Sequence, residues 1–240
     1  MSTLKERSGI DPFNTDAGAG EGYVYTTADQ FSSRYVLKRH LELIIEMGKL
    51  EGRSLIDIGC GDGFSTMKFW DRVHPSRMAG VDPAPNAIKV ADAKKGDRPI
   101  EFKSFDGKRV PFDDATFDVS ILQGVLHHAH DPAGTIREAL RVAREVVLLE
   151  PNGYNAGLKV IEKVSPYHRE HNERSYTRRS LRGWVENAGG KVADEKFALF
   201  VPIFSPEWLA KAMKAVEPAL EAAPGLRALG CSVYVMRAKR

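Results

Sequence analysis

Asp57, Gly59, Gly61 and Gly63 alternate through "LIDIGCGDGF", residues 55–64, where an apolar run gives way to nearly bare backbone. Glycines without Cβ atoms adopt dihedrals that other residues resist, and they let a ligand pack directly on the main chain. In an open α/β sheet the first strand-to-helix turn is the usual floor of the ligand site. The dinucleotide pattern G-x-G-x-x-G places its third glycine where this chain has Phe64. Asp57, just ahead of the turn, would repel a pyrophosphate and suit an ammonium group. The spacing therefore points to a ligand whose contact here carries no phosphate, with a purely structural tight turn as the alternative.

Two further acids stand at comparable places. Asp82, in "AGVDPAP", ends the second apolar run, where a carboxylate can accept hydrogen bonds from both hydroxyls of a ribose. Its structural alternative is a helix cap ahead of Pro83 and Pro85. Asp106, in "KSFDGKRVPF", follows the third run and can accept from an exocyclic amine, while Gly107 leaves room for a flat ring. An Asx-turn is the alternative there. Beyond the fourth run, "GVLHHAHDP" supplies His127, His128 and His130. Imidazole titrates near neutrality and suits the removal of a proton from a hydroxyl or amine. His128 is the first candidate base and His127 the second, the alternative being burial as structure. A second group, His168, Glu170, His171 and Glu173, lacks an H-E-x-x-H pattern and a cysteine pair, so no metal is expected. His171 and Tyr176 are read as substrate contacts. Tyr23, Tyr25 and Arg34 can close over the site from the amino-terminal side.

The elements that must position these groups follow from periodicity. Helical spacing runs from Phe31 to Leu50. Apolar runs at "SLIDIGC", "RMAGVDP", "IEFKSF", "FDVSILQG" and "EVVLLEP" read as strands, with helices over 64–73, 85–94 and 132–143. Short apolar runs alternating with helices predict a parallel sheet covered on both faces, the doubly wound α/β class. After Pro151 a long polar and aromatic connection precedes a helix over 178–187, and its length marks a lid or substrate wall. A strand at "KFALFVPIF", a helix over 206–220 with Trp208, Leu209, Met213, Val216 and Leu220 inward, and a last strand at "CSVYVMRA" complete the expected sheet. The expected organisation is an amino-terminal segment and covering helix over 1–50, a ligand-binding core over 51–152, and a substrate-side lid with the last strands over 153–240.

Composition narrows the function. A chain of 240 residues with 35 basic and 32 acidic side chains has no run of one sign that would argue for nucleic acid. The cluster Arg178, Arg179 and Arg182 reads as a solvated helix face. Two cysteines, Cys60 and Cys231, fit a reducing compartment. No stretch is apolar enough to span a bilayer. A cytoplasmic protein, monomeric or homodimeric, with a small-molecule substrate and neither nucleic acid nor membrane as partner, is expected.

The ordered set D-x-G-x-G-x-G, the acid ending strand two, "FDG" before "VPFDDATFDVSILQGVLHHAHDP", and "LLEPN" resembles class I S-adenosylmethionine-dependent methyltransferases of the small-molecule "type 11" group, over about residues 50–152. The resemblance implies a Rossmann-like, mostly parallel seven-stranded sheet with an added amino-terminal helix and lid-like insertions. It implies S-adenosyl-L-methionine as cofactor, its amine held by Asp57 and the turn of Gly59, Cys60, Gly61 and Gly63. The ribose falls to Asp82 and the adenine to Asp106; Pro83, Gly107 and Gln123 are read as further cofactor contacts, as are Tyr25 and Arg34, whose alternative is ordinary packing of an amphipathic helix. Methyl transfer to an oxygen or nitrogen of a sugar, lipid or natural product is the activity implied. The alternatives are a non-catalytic protein that binds the cofactor and an RNA methyltransferase, though the latter lacks a basic arm and an N-P-P-Y-type loop. An NAD-linked dehydrogenase is disfavoured by Phe64 and Asp57.

Overall fold

The computed structural model describes residues 29–164, 174–203 and 205–240. Its elements in chain order are α1 (Phe31–Gly48), β1 (Ser54–Ile58), α2 (Phe64–Val73), β2 (Arg77–Asp82), α3 (Pro85–Lys94), β3 (Ile100–Ser104), β4 (Phe117–Gln123), α4 (Pro132–Val142), β5 (Ala143–Pro151), α5 (Ala156–Val164), α6 (Arg178–Asn187), β6 (Lys191–Ala198), α7 (Glu207–Ala222), α8 (Pro224–Gly230) and β7 (Val233–Lys239). The strands form one seven-stranded sheet in the order β3-β2-β1-β4-β5-β7-β6. All pairings are parallel except those of β7, which runs antiparallel to both neighbours.

Strand residues alternate between the two faces. Leu55, Met78, Val147 and Val235 pack with Leu43 and Ile44 of α1 and Phe69 of α2. Ile56, Ala79, Leu148 and Met236 pack with Ile136 and Leu140 of α4 and Leu181 and Val185 of α6. The central strands are apolar at nearly every position because both faces are covered. The order in which the strands are added reverses between the parallel neighbours β1 and β4, and the crevice above their carboxyl ends is the topological switch point. At the far end of α1, Gly48 O accepts from Arg53 Nη1, which also reaches Glu145 at the start of β5. The amino end of α1, with Arg34, therefore lies at the carboxyl ends of the strands.

Two expectations about the carboxy-terminal third need correcting. The sixth strand is Lys191–Ala198, five residues earlier than "KFALFVPIF", which instead leaves the strand through Leu199 at φ 65°. As the outer edge of the sheet, β6 is half solvated and needs no apolar run. In α7, Trp208 and Val216 point outward, 73% and 52% exposed, and the fully buried positions are Ala210 and Glu217. Glu217 accepts from Tyr35 Oη at 2.7 Å and Phe200 N at 2.8 Å, and lies 3.6 Å from Arg39 Nε. Those hydrogen bonds draw Glu217 inward beside Leu209, Met213 and Leu220, which are half-buried on that side. The basic cluster is tied down in part, since Arg178 and Arg182 both contact Glu195.

Candidate active site

β1 carries Asp57 in register between Gly80 of β2 and Ile121 of β4 and ends in the glycine turn. Gly59 N and Cys60 N both donate to Val81 O, at 2.7 and 3.1 Å, and Gly63 N closes the turn on Cys60 O at 3.0 Å. The three glycines have φ of 78°, 54° and 76°, a region that side chains disfavour. A Cβ on Gly59 would lie 2.6 Å from Val125 Cγ2. One on Gly63 would lie 2.9 Å from both Ala91 and Phe102. These two glycines are thus required by packing of the protein itself, whereas Gly61 presents its amide to a carboxylate.

That carboxylate is Asp82. Its Oδ2 accepts from Gly61 N at 2.9 Å and its Oδ1 from Ala84 N at 2.8 Å. It is 8% exposed, and burial raises its pKa against the opposing effect of the two backbone bonds. Asp57 sits beneath the turn, 2% exposed, accepting from Thr66 Oγ1 at 2.6 Å. Burial, with a contribution from the charge of Asp82, pushes its pKa up to about 7. The Cys60 thiol is buried against the turn, and desolvation with the nearby Asp82 and Asp57 charges holds it protonated.

The third acid is built differently. Asp106 is exposed, and its Oδ1 takes Lys108 N and Arg109 N, both at 2.9 Å, in an Asx-type turn that lowers its pKa. Oδ2 keeps its accepting capacity for a ligand. Gly107, at φ 75°, brings this loop against the β2 loop, its Cβ position 3.7 Å from Pro83 Cβ. At the end of β4, Gln123 Oε1 is buried with no hydrogen-bond partner among the described residues. Arg34 is exposed on the first turn of α1 and pairs with Asp29. Tyr25 and His171, with Tyr23, His168, Glu170 and Glu173, lie outside the described residues.

The histidines meet a residue to which the sequence pattern assigned no role. Glu150, fully buried at the end of β5, accepts Val125 N and Leu126 N on Oε1, both at 2.8 Å. Its Oε2 pairs with His127 Nδ1 at 2.8 Å. The His127 side chain is 13% exposed, and its ring lies 3.9 Å from that of His128, centroid to centroid. His128 N closes a turn on Val125 O at 3.1 Å. The carboxylate gives His127 the orienting partner expected of a base. Tyr176 borders the same place: burial and the charge of Glu150 raise the pKa of its phenol, and its ring packs on Trp184 at 4.8 Å. A lone acid closing the apolar run "VVLLE" was the signal that Glu150 has a role, since an unpartnered charge there would be costly.

The family model described as "Methyltransferase domain" matches residues 56–149, from within β1 to late in β5. This segment is similar to methyltransferase domains. A chloroplastic 2-methyl-6-phytyl-1,4-hydroquinone methyltransferase 2 of Oryza sativa subsp. japonica is 31% identical over 102 residues, which are 42% of this chain and 29% of that protein. The chain thus matches under a third of that relative's length. Among solved structures, the methyltransferase in a Haloferax volcanii complex with the Trm112 methyltransferase activator superposes with a TM-score of 0.69 at 19% identity, covering 98% of this chain and 99% of that one. Magnesium protoporphyrin IX methyltransferase of Synechocystis PCC 6803, solved with bound SAH, gives 0.63 at 16% identity over 96% and 97%. The matched segment thus sits in a chain whose fold follows these structures, β6, β7 and α1 included.

Proposed function

We propose that the chain is an S-adenosyl-L-methionine-dependent methyltransferase that acts on a hydroxyl or amine of a small metabolite, with a hydroxylated aromatic ring the favoured acceptor. The reading rests above all on Asp82, a nearly buried carboxylate that joins the glycine turn to the β2 loop beside the switch point. The residues present fit the cofactor. Asp82 has one backbone bond on each oxygen, which leaves each able to accept one ribose hydroxyl. Asp106 Oδ2 and the Gly107–Pro83 slot suit an aminopurine edge and face, and the unpartnered Gln123 Oε1 is a further buried acceptor. Asp57 places a carboxylate under the turn toward an ammonium group.

The cofactor supplies a methyl group already activated on sulfonium. What remains for the chain is alignment, exclusion of water and removal of the acceptor's proton. His127 serves as that base: Nδ1–H donates to Glu150, so Nε2 carries the lone pair. Glu150 holds the backbone of residues 125 and 126 as well, so imidazole and loop are fixed together. Tyr176 and the adjoining His128 wall the acceptor side. The hydroquinone in the rice relative's name supports a hydroxylated aromatic ring as the acceptor class.

The test is calorimetric titration with S-adenosylhomocysteine, with NADH as control. Saturable binding of the first alone is expected, and Asp82→Ala should weaken it by at least about tenfold, since a buried charged acceptor is lost. Failure of the folded wild-type chain to bind would overturn the reading.

A further inference from the structure

α7 buries Ala210 and half-buries Leu209, Met213 and Leu220, yet carries a second apolar stripe on its outer side. Its two carboxy-terminal acids turn inward, Glu217 to Tyr35 and the Phe200 amide, Glu221 to the Leu199 amide. At 100° per residue, Trp208, Ala212, Ala215, Ala219 and Ala222 fall within about 80° on the opposite side, and all of these are exposed. No charge interrupts that stripe. Val216 flanks it on one side and Lys211 on the other, and α8 adds Leu226 and Leu229, 61% and 62% exposed.

We propose that this face of α7 and α8 docks on the surface of an anionic lipid bilayer. Contiguous exposed apolar surface of this kind marks an interaction site. The charges choose the occupant: with Glu217 and Glu221 turned inward, the exposed charges of the segment are Lys211, Lys214 and Arg227 against Glu207 alone, which pairs with Lys211 at 2.7 Å and leaves the face net positive. The Lys211 and Lys214 ammonium groups lie over the rings of Phe31 and Tyr35 of α1, at 5.6 and 4.9 Å, and so flank the stripe on one side. An alanine-lined stripe with a terminal tryptophan and basic flanks suits the interface between headgroups and acyl chains. A second copy of this chain would set the lysine rims against each other. No described helix is long and apolar enough to cross a membrane, and surface docking requires none. The position is apt as well. Ser32 Oγ donates to Ser205 O at 2.9 Å, which ties the Trp208 end of α7 to the start of α1, at the carboxyl ends of the strands. Docking there brings the mouth of the site to the bilayer, where an acceptor with a hydrocarbon tail would be met.

This surface stands independently of the methyl-transfer reading, because the assay involves neither cofactor nor acceptor. The 240-residue chain is floated with phosphatidylcholine vesicles and with vesicles in which roughly a third of the lipid is phosphatidylglycerol. Binding to the anionic vesicles alone, reversed by salt, is expected. Trp208→Ala should weaken it about tenfold. Lys211→Gln with Lys214→Gln should weaken it about twentyfold, while circular dichroism and thermal melting stay those of the wild type. Equal binding by wild type and Trp208→Ala, or none to either vesicle, overturns the proposal. So does light scattering that shows a dimer dissociated by Trp208→Ala, which would give the face to a second copy.

Discussion

Asp57→Asn should stabilise the protein at pH 8 while weakening its grip on the cofactor. Burial lifts the Asp57 pKa from an ordinary 3.8 to about 7, so the folded state holds a proton that the unfolded state has released. The sign follows from linkage: stability is fully present below about pH 3.8 and is lost as pH rises through about 7. At ~1.36 kcal/mol per pH unit, ionised Asp57 costs the folded state up to about 4 kcal/mol at pH 8. Asparagine keeps an oxygen for the Thr66 hydroxyl and removes the charge. The variant should gain about 1–4 kcal/mol at pH 8, the lower figure allowing for relaxation of the site. Because the wild type recovers part of the loss on acidification, the gap should shrink by about 2 kcal/mol between pH 8 and pH 5.5. Urea titrations of both proteins at the two pH values measure this. Calorimetry with S-adenosylhomocysteine should show the wild type losing affinity below about pH 7, as Asp57 takes up a proton, with the Asp57→Asn variant binding weakly and independently of pH. A variant no more stable than wild type at pH 8, or a gap unchanged by pH, refutes the argument.

Further expectations concern other parts of the same site. Glu150→Gln should slow methyl transfer on the order of a hundredfold while S-adenosylhomocysteine affinity stays within about threefold, and His127→Ala should act similarly. Nitrogen-15 spectra should show the His127 proton on Nδ1 in the wild type and not in Glu150→Gln; an unchanged tautomer would leave Glu150 as loop support only. Gly63→Ala combines positive φ with contacts at 2.9 Å to Ala91 and Phe102 and should cost about 3 kcal/mol by urea unfolding. A loss under about 1 kcal/mol would mean that α2 shifts freely.

The core was legible because its strands are covered on both faces and must be apolar, so "SLIDI" and "VVLLE" announce themselves without partners. β6 was misplaced for the opposite reason: an edge strand solvated on one side is polar, and the apolar run after it belongs to a loop. Helical spacing places Leu209, Met213 and Leu220 on the side that is half-buried, but it extends that side to Trp208 and Val216, which are exposed. Only the Tyr35, Arg39 and Phe200 contacts of Glu217, distant in sequence, decide which positions turn inward. The acids at 57, 82 and 106 could be singled out by their places at strand ends. Their different uses could not, because burial separates Asp57 and Asp82 from the exposed Asp106.

Asp82 and Glu150 share one construction. β1 and β4 flank the switch point, and the loop after each is gripped by an acid from the neighbouring strand farther out. Asp82 of β2 holds Gly61 N of the β1 loop, and Glu150 of β5 holds Val125 N and Leu126 N of the β4 loop. The two loops also meet, since Val125 fills the space that a side chain on Gly59 would need. Movement in either loop is therefore opposed by a buried carboxylate bond and by the other loop. A transfer reaction that depends on alignment of donor and acceptor gains from such rigidity. It also explains why buried charges are kept where apolar residues would stabilise the fold more: their oxygens fix the backbone on both sides of the crevice and retain capacity for ligand.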